Sequence, residues 1–134
     1  AGTLSGNPLA MNAGLCILNK LNSKIYNSLE KKSKIIYNGI MNNIKLTGTK
    51  AIVNRVGSML TLFFTNKKEV NNYNDAKSCD LKLFAKYFKF MLEHGIYLPP
   101  SQFESLFISD AISYEEIKYF LEVNKKALKH IYNE

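Results

Sequence analysis

The amino-acid sequence predicts an α+β domain, in which a small, mostly antiparallel sheet carries helices on one face. Three observations lead to this fold class. Apolar residues recur at helical spacing in several segments, and strand-forming residues concentrate between positions 48 and 65. The predicted order is helix, helix, strands, helix, short strands, helix, which is typical of an α+β fold. The chain has 134 residues, of which 46% are apolar, and this is enough for one modest core.

The first two predicted helices are separated by a break at Asn22-Ser23. Asn7 is a good N-cap for the first helix, and Pro8 at its first position loses no N–H that the helix needs. We expect the second helix to end near 42–43. The apolar residues at helical spacing in these two segments are Leu15, Leu18, Leu21, Ile25, Leu29, Ile36 and Ile40.

Two strands are predicted between residues 48 and 65, with Gly57 as the bend between them. The run Leu60-Thr61-Leu62-Phe63-Phe64 is apolar on nearly both sides, so it should form a well-covered strand. The polar stretch from Asn66 to Asp75 predicts a surface loop.

The C-terminal half predicts two further helices around a stiff, extended segment. Ser78 is the expected N-cap of the third helix, and Gly95 is the expected stop. Pro99-Pro100 then forbids helix, and residues 107–109 predict a short strand. Ser113 and Glu116 have the spacing of a capping box at the start of the last helix.

Composition excludes several classes of function. No apolar run reaches the roughly 18–20 residues of a membrane span, so no membrane association is expected. Cys16 and Cys79 lack CxxC spacing, so we expect reduced thiols and no metal site. The net charge of +7 comes almost wholly from lysine, with Arg55 the one arginine. Sequence-reading proteins favour arginine, so we expect solvated lysine faces and no nucleic-acid partner.

Side chains of catalytic type are sparse. His94 and His130 lack the neighbours of a catalytic triad and are expected to serve as surface or capping residues. Two segments stay open to two interpretations. The glycines and hydroxyls of residues 2–8 suit either an anion site or an ordinary capped helix start. The polar residues of 97–104 suit either a substrate-orienting segment or a structural turn.

Three ordered motifs together resemble one family over essentially the whole chain. They are GTLSGNPLAM at residues 2–11, NRVGSMLTLFFT at residues 54–65 and GIYLPPSQFE at residues 95–104. The resemblance is to the C-terminal part of glutamate-1-semialdehyde 2,1-aminomutases, pyridoxal-phosphate enzymes of aminotransferase fold type I and of the class III aminotransferases. It implies a fold in which residues 1–22 end the large domain and form a linking helix, and residues 23–134 form the small C-terminal domain.

The resemblance also implies an activity and its site residues. The parent enzyme would convert glutamate-1-semialdehyde into 5-aminolevulinate for tetrapyrrole (porphyrin) synthesis, with pyridoxal phosphate or pyridoxamine phosphate as cofactor. Gly2 and Thr3 match the family's contact to the cofactor phosphate, which typically comes from the neighbouring subunit of a dimer. Glu104 matches a glutamate that helps to organise the substrate pocket, and Ser101 is a neighbouring candidate.

The resemblance further implies which parts lie elsewhere. The Schiff-base lysine of this family precedes the position of Ala1, so this chain would hold no catalytic residue and would be inactive alone. Its partners would be the large catalytic domain of the same enzyme, a second subunit and a small-molecule substrate, in bacterial cytoplasm or in plastids. One departure is Ile112, where the family usually has histidine. Two alternatives remain: a stand-alone, non-catalytic interaction module, and a nucleic-acid binder suggested only by the +7 charge.

Overall fold

Five helices and three strands make up the fold, in a computed structural model that describes residues 2–132. Their order agrees with the α+β prediction. In chain order the elements are α1 (Pro8–Lys20), α2 (Ser23–Thr47), β1 (Ala51–Val56), β2 (Met59–Phe64), α3 (Tyr73–Lys77), α4 (Leu81–Glu93), β3 (Leu106–Phe107) and α5 (Tyr114–His130).

The sheet is antiparallel throughout, with strand order β1-β2-β3. A two-residue loop joins β1 to β2, and its first residue, Gly57, has a φ of 57°. Only glycine adopts this left-handed conformation without strain, which explains why the bend falls here. The register pairs Val56 with Met59 at the loop and Met59 with Phe107 across to β3.

One face of the sheet packs against the helices, as predicted. Helices α2 and α4 contact the strands directly, and α5 packs against both helices. Alternate residues of β1 and β2 point into this core because side chains of a strand alternate between faces. The main core contains, among others, Ile36, Ile40, Val53, Leu60, Phe64, Tyr87, Met91, Ile117, Val123 and Leu128.

The opposite face of the sheet is half covered. Phe63 and Ile52 on this face pack with Val70, Ala76 and Cys79 from the segment around α3. The predicted surface loop at 66–75 is therefore wrong in part, because Val70 is buried and the short helix α3 begins at Tyr73. The other half of this face, beside the Gly57 loop, carries exposed side chains.

Two predicted helix boundaries are wrong. The N-cap of α4 is Asp80, whose carboxylate accepts from the N–H groups of Lys82 and Leu83 at 3.0 and 2.9 Å. Ser78 instead closes α3, with its hydroxyl donating to the carbonyl of Asp75 at 2.7 Å. Helix α2 continues past 42–43 to Thr47 and ends at Gly48, which has a φ of 69°.

The other predicted helix ends are confirmed. Asn7 and Asn22 cap α1 and α2 by accepting backbone N–H groups. Gly95, with a φ of 75°, ends α4 in a Schellman motif in which Ile96 N–H bonds to the carbonyl of Met91 at 2.9 Å. At α5 both hydrogen bonds of the capping box between Ser113 and Glu116 are present.

Helix α1 differs from the rest of the fold because it buries nothing. All of its residues from Pro8 to Lys20 are exposed, including Leu9 at 80%, Leu15 at 56% and Leu18 at 65%. A short helix with so many exposed apolar side chains is normally buried against another surface in a stable protein. Within residues 2–132, no helix combines the length and hydropathy that crossing a bilayer requires.

Candidate functional site

The segment before α1 forms two consecutive turns. Ser5 N–H bonds to the carbonyl of Gly2 at 3.0 Å, and Asn7 N–H bonds to the carbonyl of Leu4 at 3.1 Å. Gly6 is the third residue of the second turn and has a φ of 76°, as type II turns require. The turns therefore set the backbone of residues 2–6 just ahead of the N-terminus of α1.

Several donors of this segment have no hydrogen-bond partner among residues 2–132. Neither the N–H nor the hydroxyl of Thr3 makes a hydrogen bond within residues 2–132, and the N–H of Gly6 is equally unused. The segment is exposed, and the helix N-terminus that follows carries partial positive charge. Phosphate oxygens accept hydrogen bonds from hydroxyl and backbone N–H groups of this kind. The donors of this segment therefore fit one part of a phosphate-binding site.

The Pro99–Glu104 segment folds into a tight polar turn. Glu104 N–H bonds to the carbonyl of Ser101 at 3.0 Å, and Phe103 N–H bonds to the hydroxyl of Ser101 at 3.2 Å. Ser101 thereby fixes the backbone that carries Glu104. The carboxylate of Glu104 is exposed and has no ion-pair partner within residues 2–132.

Ser101 and Glu104 line one cavity of about 40 Å³ at the edge of the core. The cavity is mainly apolar, and its other walls come from all three strands, from α2, α4 and α5, and from the segment at Leu98-Pro99. Known ligand pockets are larger, on the order of 300–1,000 Å³, so this cavity holds a few water molecules at most. The other lining residues are Ile40, Val53, Leu60, Thr61, Leu62, Phe84, Tyr87, Leu98, Pro99, Leu106 and Phe120.

A buried hydrogen-bond network includes Tyr87, which lines the cavity. Asn124 on α5 donates to the hydroxyl of Tyr87 at 2.9 Å and accepts from the amide of Asn43 at 2.8 Å. The Asn43 amide also donates to the carbonyl of Leu121 at 2.9 Å. Burial raises the pKa of the Tyr87 hydroxyl well above its usual range, and the hydrogen bond from Asn124 partly opposes that rise.

Gln102 belongs with Ser101 and Glu104 to the polar residues of 97–104 that suit a substrate-orienting segment, and the structure buries it. Its side chain is 1% exposed, and its amide donates to the carbonyl of Ala76 at 2.9 Å. The amide oxygen is buried without a hydrogen-bond partner. This hydrogen bond ties the Ser101–Glu104 turn to α3, 26 positions earlier in the chain, and the ring of Phe103 also contacts that of Tyr73 on α3, with 5.8 Å between the ring centroids. The only signal for Gln102 in the sequence was its position between Ser101 and Phe103 in a motif that contains two prolines.

The structure does not bring the two candidate segments together. The cavity beside Ser101 and Glu104 includes neither Gly2 nor Thr3, and the hydrogen bonds around residues 2–7 are local. Ile112, the departure from the family pattern, packs against the core while Ser113 still caps α5. Among residues 2–132, no three His, Cys, Asp or Glu side chains converge as a metal ion needs.

Comparison with known proteins identifies close relatives in sequence. No family model matches the chain. The glutamate-1-semialdehyde 2,1-aminomutase 2 of Bacillus pumilus is 48% identical over 131 residues, which is 98% of this chain. The glutamate-1-semialdehyde 2,1-aminomutase of Clostridium novyi is 47% identical over 133 residues. The chain spans only about 30% of the length of these curated relatives.

Solved structures share the fold at lower identity. An omega-transaminase from Sphaerobacter thermophilus superposes with a TM-score of 0.82 at 18% identity, covering 98% of this chain and 30% of its own. A variant glutamate-1-semialdehyde aminomutase from Pseudomonas aeruginosa PAO1, in complex with PMP, has a TM-score of 0.71 at 15% identity, covering 81% and 24%. These matches agree with the predicted small C-terminal domain of aminotransferases.

Proposed function

We propose that this chain, which is homologous to the C-terminal part of the glutamate-1-semialdehyde 2,1-aminomutases, is the small domain of such an enzyme. The parent protein would convert glutamate-1-semialdehyde into 5-aminolevulinate for porphyrin synthesis. The observation that carries this proposal is 48% identity sustained over 98% of the chain. Identity at that level over a whole domain supports a shared role more strongly than the fold alone does.

The proposed division of labour places residues 1–22 with the large domain and residues 23–134 in the small domain. Support comes from the unequal burial of the two parts. Every described residue of α1 is exposed, whereas α2 contributes Ile36, Ile40 and Ile44 to the core. The large catalytic domain of the same enzyme is the partner that would cover α1, and the parent would act as a homodimer.

The cofactor of the parent would be pyridoxal phosphate or pyridoxamine phosphate. When bound, it supplies an amino carrier and an electron sink. Gly2 and Thr3 would contribute to its phosphate contact, with Thr3 donating its hydroxyl and N–H to phosphate oxygens. The unused donors of this segment fit that role. The Schiff-base lysine would lie in the large domain, so the chain alone would be inactive.

Ser101 and Glu104 would face the substrate pocket. Their cavity of about 40 Å³ is too small for a substrate, so the large domain would complete the pocket. The exposed carboxylate of Glu104 would help to orient the substrate, while Ser101 would hold the turn. Bacterial cytoplasm or a plastid would be the compartment.

The experiment that tests this proposal measures product formation. We expect the parent protein, supplied with pyridoxamine phosphate and glutamate-1-semialdehyde, to form 5-aminolevulinate, and the 134-residue chain to form none. Absence of 5-aminolevulinate from a soluble, cofactor-loaded parent protein would refute the aminomutase proposal. Glu104→Gln in the parent should change KM or kcat without reducing thermal stability, and Glu115→Gln is a matched exposed control.

A second candidate is a stand-alone, non-catalytic interaction module. The observation in its favour is that α2 to α5 contain a complete hydrophobic core of their own. Sequencing the coding region upstream of Ala1 separates the two candidates. A continuous frame that encodes a pyridoxal-phosphate domain would exclude the stand-alone module.

A further inference from the structure

The Ser101–Glu104 turn is attached to the rest of the fold at both of its ends. Leu98, before the turn, is buried in the main core, and Leu106, after it, pairs with β2. Within the turn, Glu104 N–H bonds to the carbonyl of Ser101 at 3.0 Å. These contacts fix the ends and the internal shape of the turn, so its tilt against the domain depends on what its middle contacts.

The middle of the turn contacts α3 through two neighbouring residues. The side-chain amide of Gln102 donates to the carbonyl of Ala76 at 2.9 Å, and the ring of Phe103 contacts that of Tyr73. Tyr73 and Ala76 are three positions apart, so they lie on the same side of this short helix. The turn therefore holds one side of α3 with two adjacent side chains.

Helix α3 is itself attached to the sheet. Ala76 packs with Phe63 of β2 among the buried residues of the second face. Asp75 forms an ion pair with Lys67 at 2.7 Å. Directly after the helix, the N–H of Asp80 bonds to a carbonyl of β2 at 2.8 Å. An element with several such attachments is a firm support for the side chains that contact it.

The amide of Gln102 is not the side chain that stability alone favours. Its oxygen is buried without a hydrogen-bond partner within residues 2–132, and such a group costs free energy. A methionine would fill a similar volume without that cost. The amide N–H, however, is directional, and its bond to a backbone carbonyl favours one orientation of the turn. Gln102 therefore fits a role in orienting the turn.

The carboxylate of Glu104 is the group whose position this orientation decides. It lies two residues after Gln102, lines the cavity beside Ser101 and makes no ion pair or hydrogen bond within residues 2–132. Its location therefore follows from the backbone that carries it. We infer that Gln102 is a positioning residue of the parent enzyme, which directs the carboxylate of Glu104 toward the substrate by fastening the turn to α3. The inference rests on the proposed function, in which Glu104 faces the substrate pocket.

The experiment is a kinetic double-mutant cycle on the parent protein, with kcat and KM for formation of 5-aminolevulinate expressed per bound cofactor. Gln102→Met should lower kcat/KM about threefold to tenfold, because a displaced carboxylate orients the substrate poorly. In the Glu104→Gln background the same substitution should change kcat/KM by about twofold or less, since the carboxylate through which Gln102 acts is already absent.

Two further variants separate positioning from stability. Tyr73 is 68% exposed, so Tyr73→Ala loosens the same turn with little risk to folding. It should lower kcat/KM about twofold to threefold, and only when Glu104 is present. Gly39→Ala is the matched control, because it crowds Leu121 on α5 and destabilises the chain without contacting the turn. Its kcat/KM should equal that of the unchanged protein.

An unchanged kcat/KM in Gln102→Met would overturn the inference, and so would equal losses from this substitution in both backgrounds. If Gln102→Met does not fold, Tyr73→Ala decides by the same comparison. An equal loss in Gly39→Ala would also overturn the inference, because general destabilisation would then explain the result. Failure of the proposed function is a different observation: the unchanged parent protein, loaded with cofactor, then forms no 5-aminolevulinate, and the inference fails with it.

Discussion

The side-chain amide of Gln102 reaches from the Ser101–Glu104 turn to the carbonyl of Ala76 at the end of α3, at 2.9 Å. The turn that carries both candidate substrate-pocket residues is therefore anchored by a residue that is itself buried. Gln102 is 1% exposed, and its amide oxygen lacks a partner. Because Gln102 helps to anchor the turn, the position of Glu104 is sensitive to a residue that does not line its cavity.

Gln102→Ala should destabilise the protein by about 2–4 kcal/mol, because it opens a cavity and removes the amide hydrogen bond. Gln102→Met should cost about 1.5 kcal/mol or less, since it fills the same space and removes the unpaired oxygen. Urea unfolding of both variants checks this. Equal losses in the two variants would show that the amide matters more than the volume.

Gly39→Ala should also destabilise the protein. A Cβ at Gly39 on α2 would lie 2.4 Å from Cδ1 and 3.0 Å from Cγ of Leu121 on α5. We expect a net loss of about 1–2 kcal/mol, despite the better helix propensity of alanine. Leu121→Ala in the same chain should relieve the clash, so a double-mutant cycle should show a favourable coupling of about 1 kcal/mol. Simple additivity would contradict this interpretation.

Tyr87 should make the stability depend on pH in alkaline solution. Its pKa is raised by burial in the folded chain, so folding favours the neutral hydroxyl. The contribution is fully present below the unfolded pKa of about 10 and is lost as pH rises above it, by about 1.4 kcal/mol per pH unit. Urea unfolding of Tyr87→Phe and of the unchanged protein is compared from about pH 8 to about pH 11, a range that brackets the ordinary pKa of tyrosine. The difference between the two slopes of unfolding free energy against pH is the contribution of Tyr87. An unchanged slope in Tyr87→Phe would contradict the assignment.

The 134-residue chain should self-associate through α1 at high concentration. Leu15→Lys with Leu18→Lys should weaken that association about tenfold or more, because each buried leucine contributes about 1.5 kcal/mol or more. Ala13→Lys with Cys16→Lys adds the same charge to the opposite face of the same helix and is the control. Sedimentation velocity measures both, and a monomeric unchanged chain would contradict the prediction.

Local signals in the sequence predicted the fold class and most helix ends, because caps act within a few residues. Asn7, Asn22, Gly95 and the capping box of Ser113 were predictable for this reason. Ser78 was predicted as the cap of α4 in place of Asp80 because α3, which uses Ser78 to close its own last turn, was not predicted.

The remaining errors come from tertiary contacts. Asn42-Asn43 suggested a helix end, yet Asn43 stays in α2 because its amide is satisfied by Asn124 and Leu121 on α5. A polar side chain at a buried helical position is tolerated when a distant partner accepts its hydrogen bonds. The hydrogen bond of Gln102 could not be predicted for the same reason, since its partner Ala76 is far away in sequence.

The most direct test of the proposed role is the affinity of the parent protein for pyridoxal phosphate after substitution of Thr3. Thr3→Val removes the hydroxyl and keeps the shape, whereas Thr3→Ser keeps the hydroxyl and is the control. A hydrogen bond to a charged phosphate contributes about 1.5–3 kcal/mol, so Thr3→Val should weaken binding about tenfold to a hundredfold. Thr3→Ser should bind nearly as the unchanged protein does. Unchanged affinity in Thr3→Val would contradict the assignment of this segment to the cofactor phosphate.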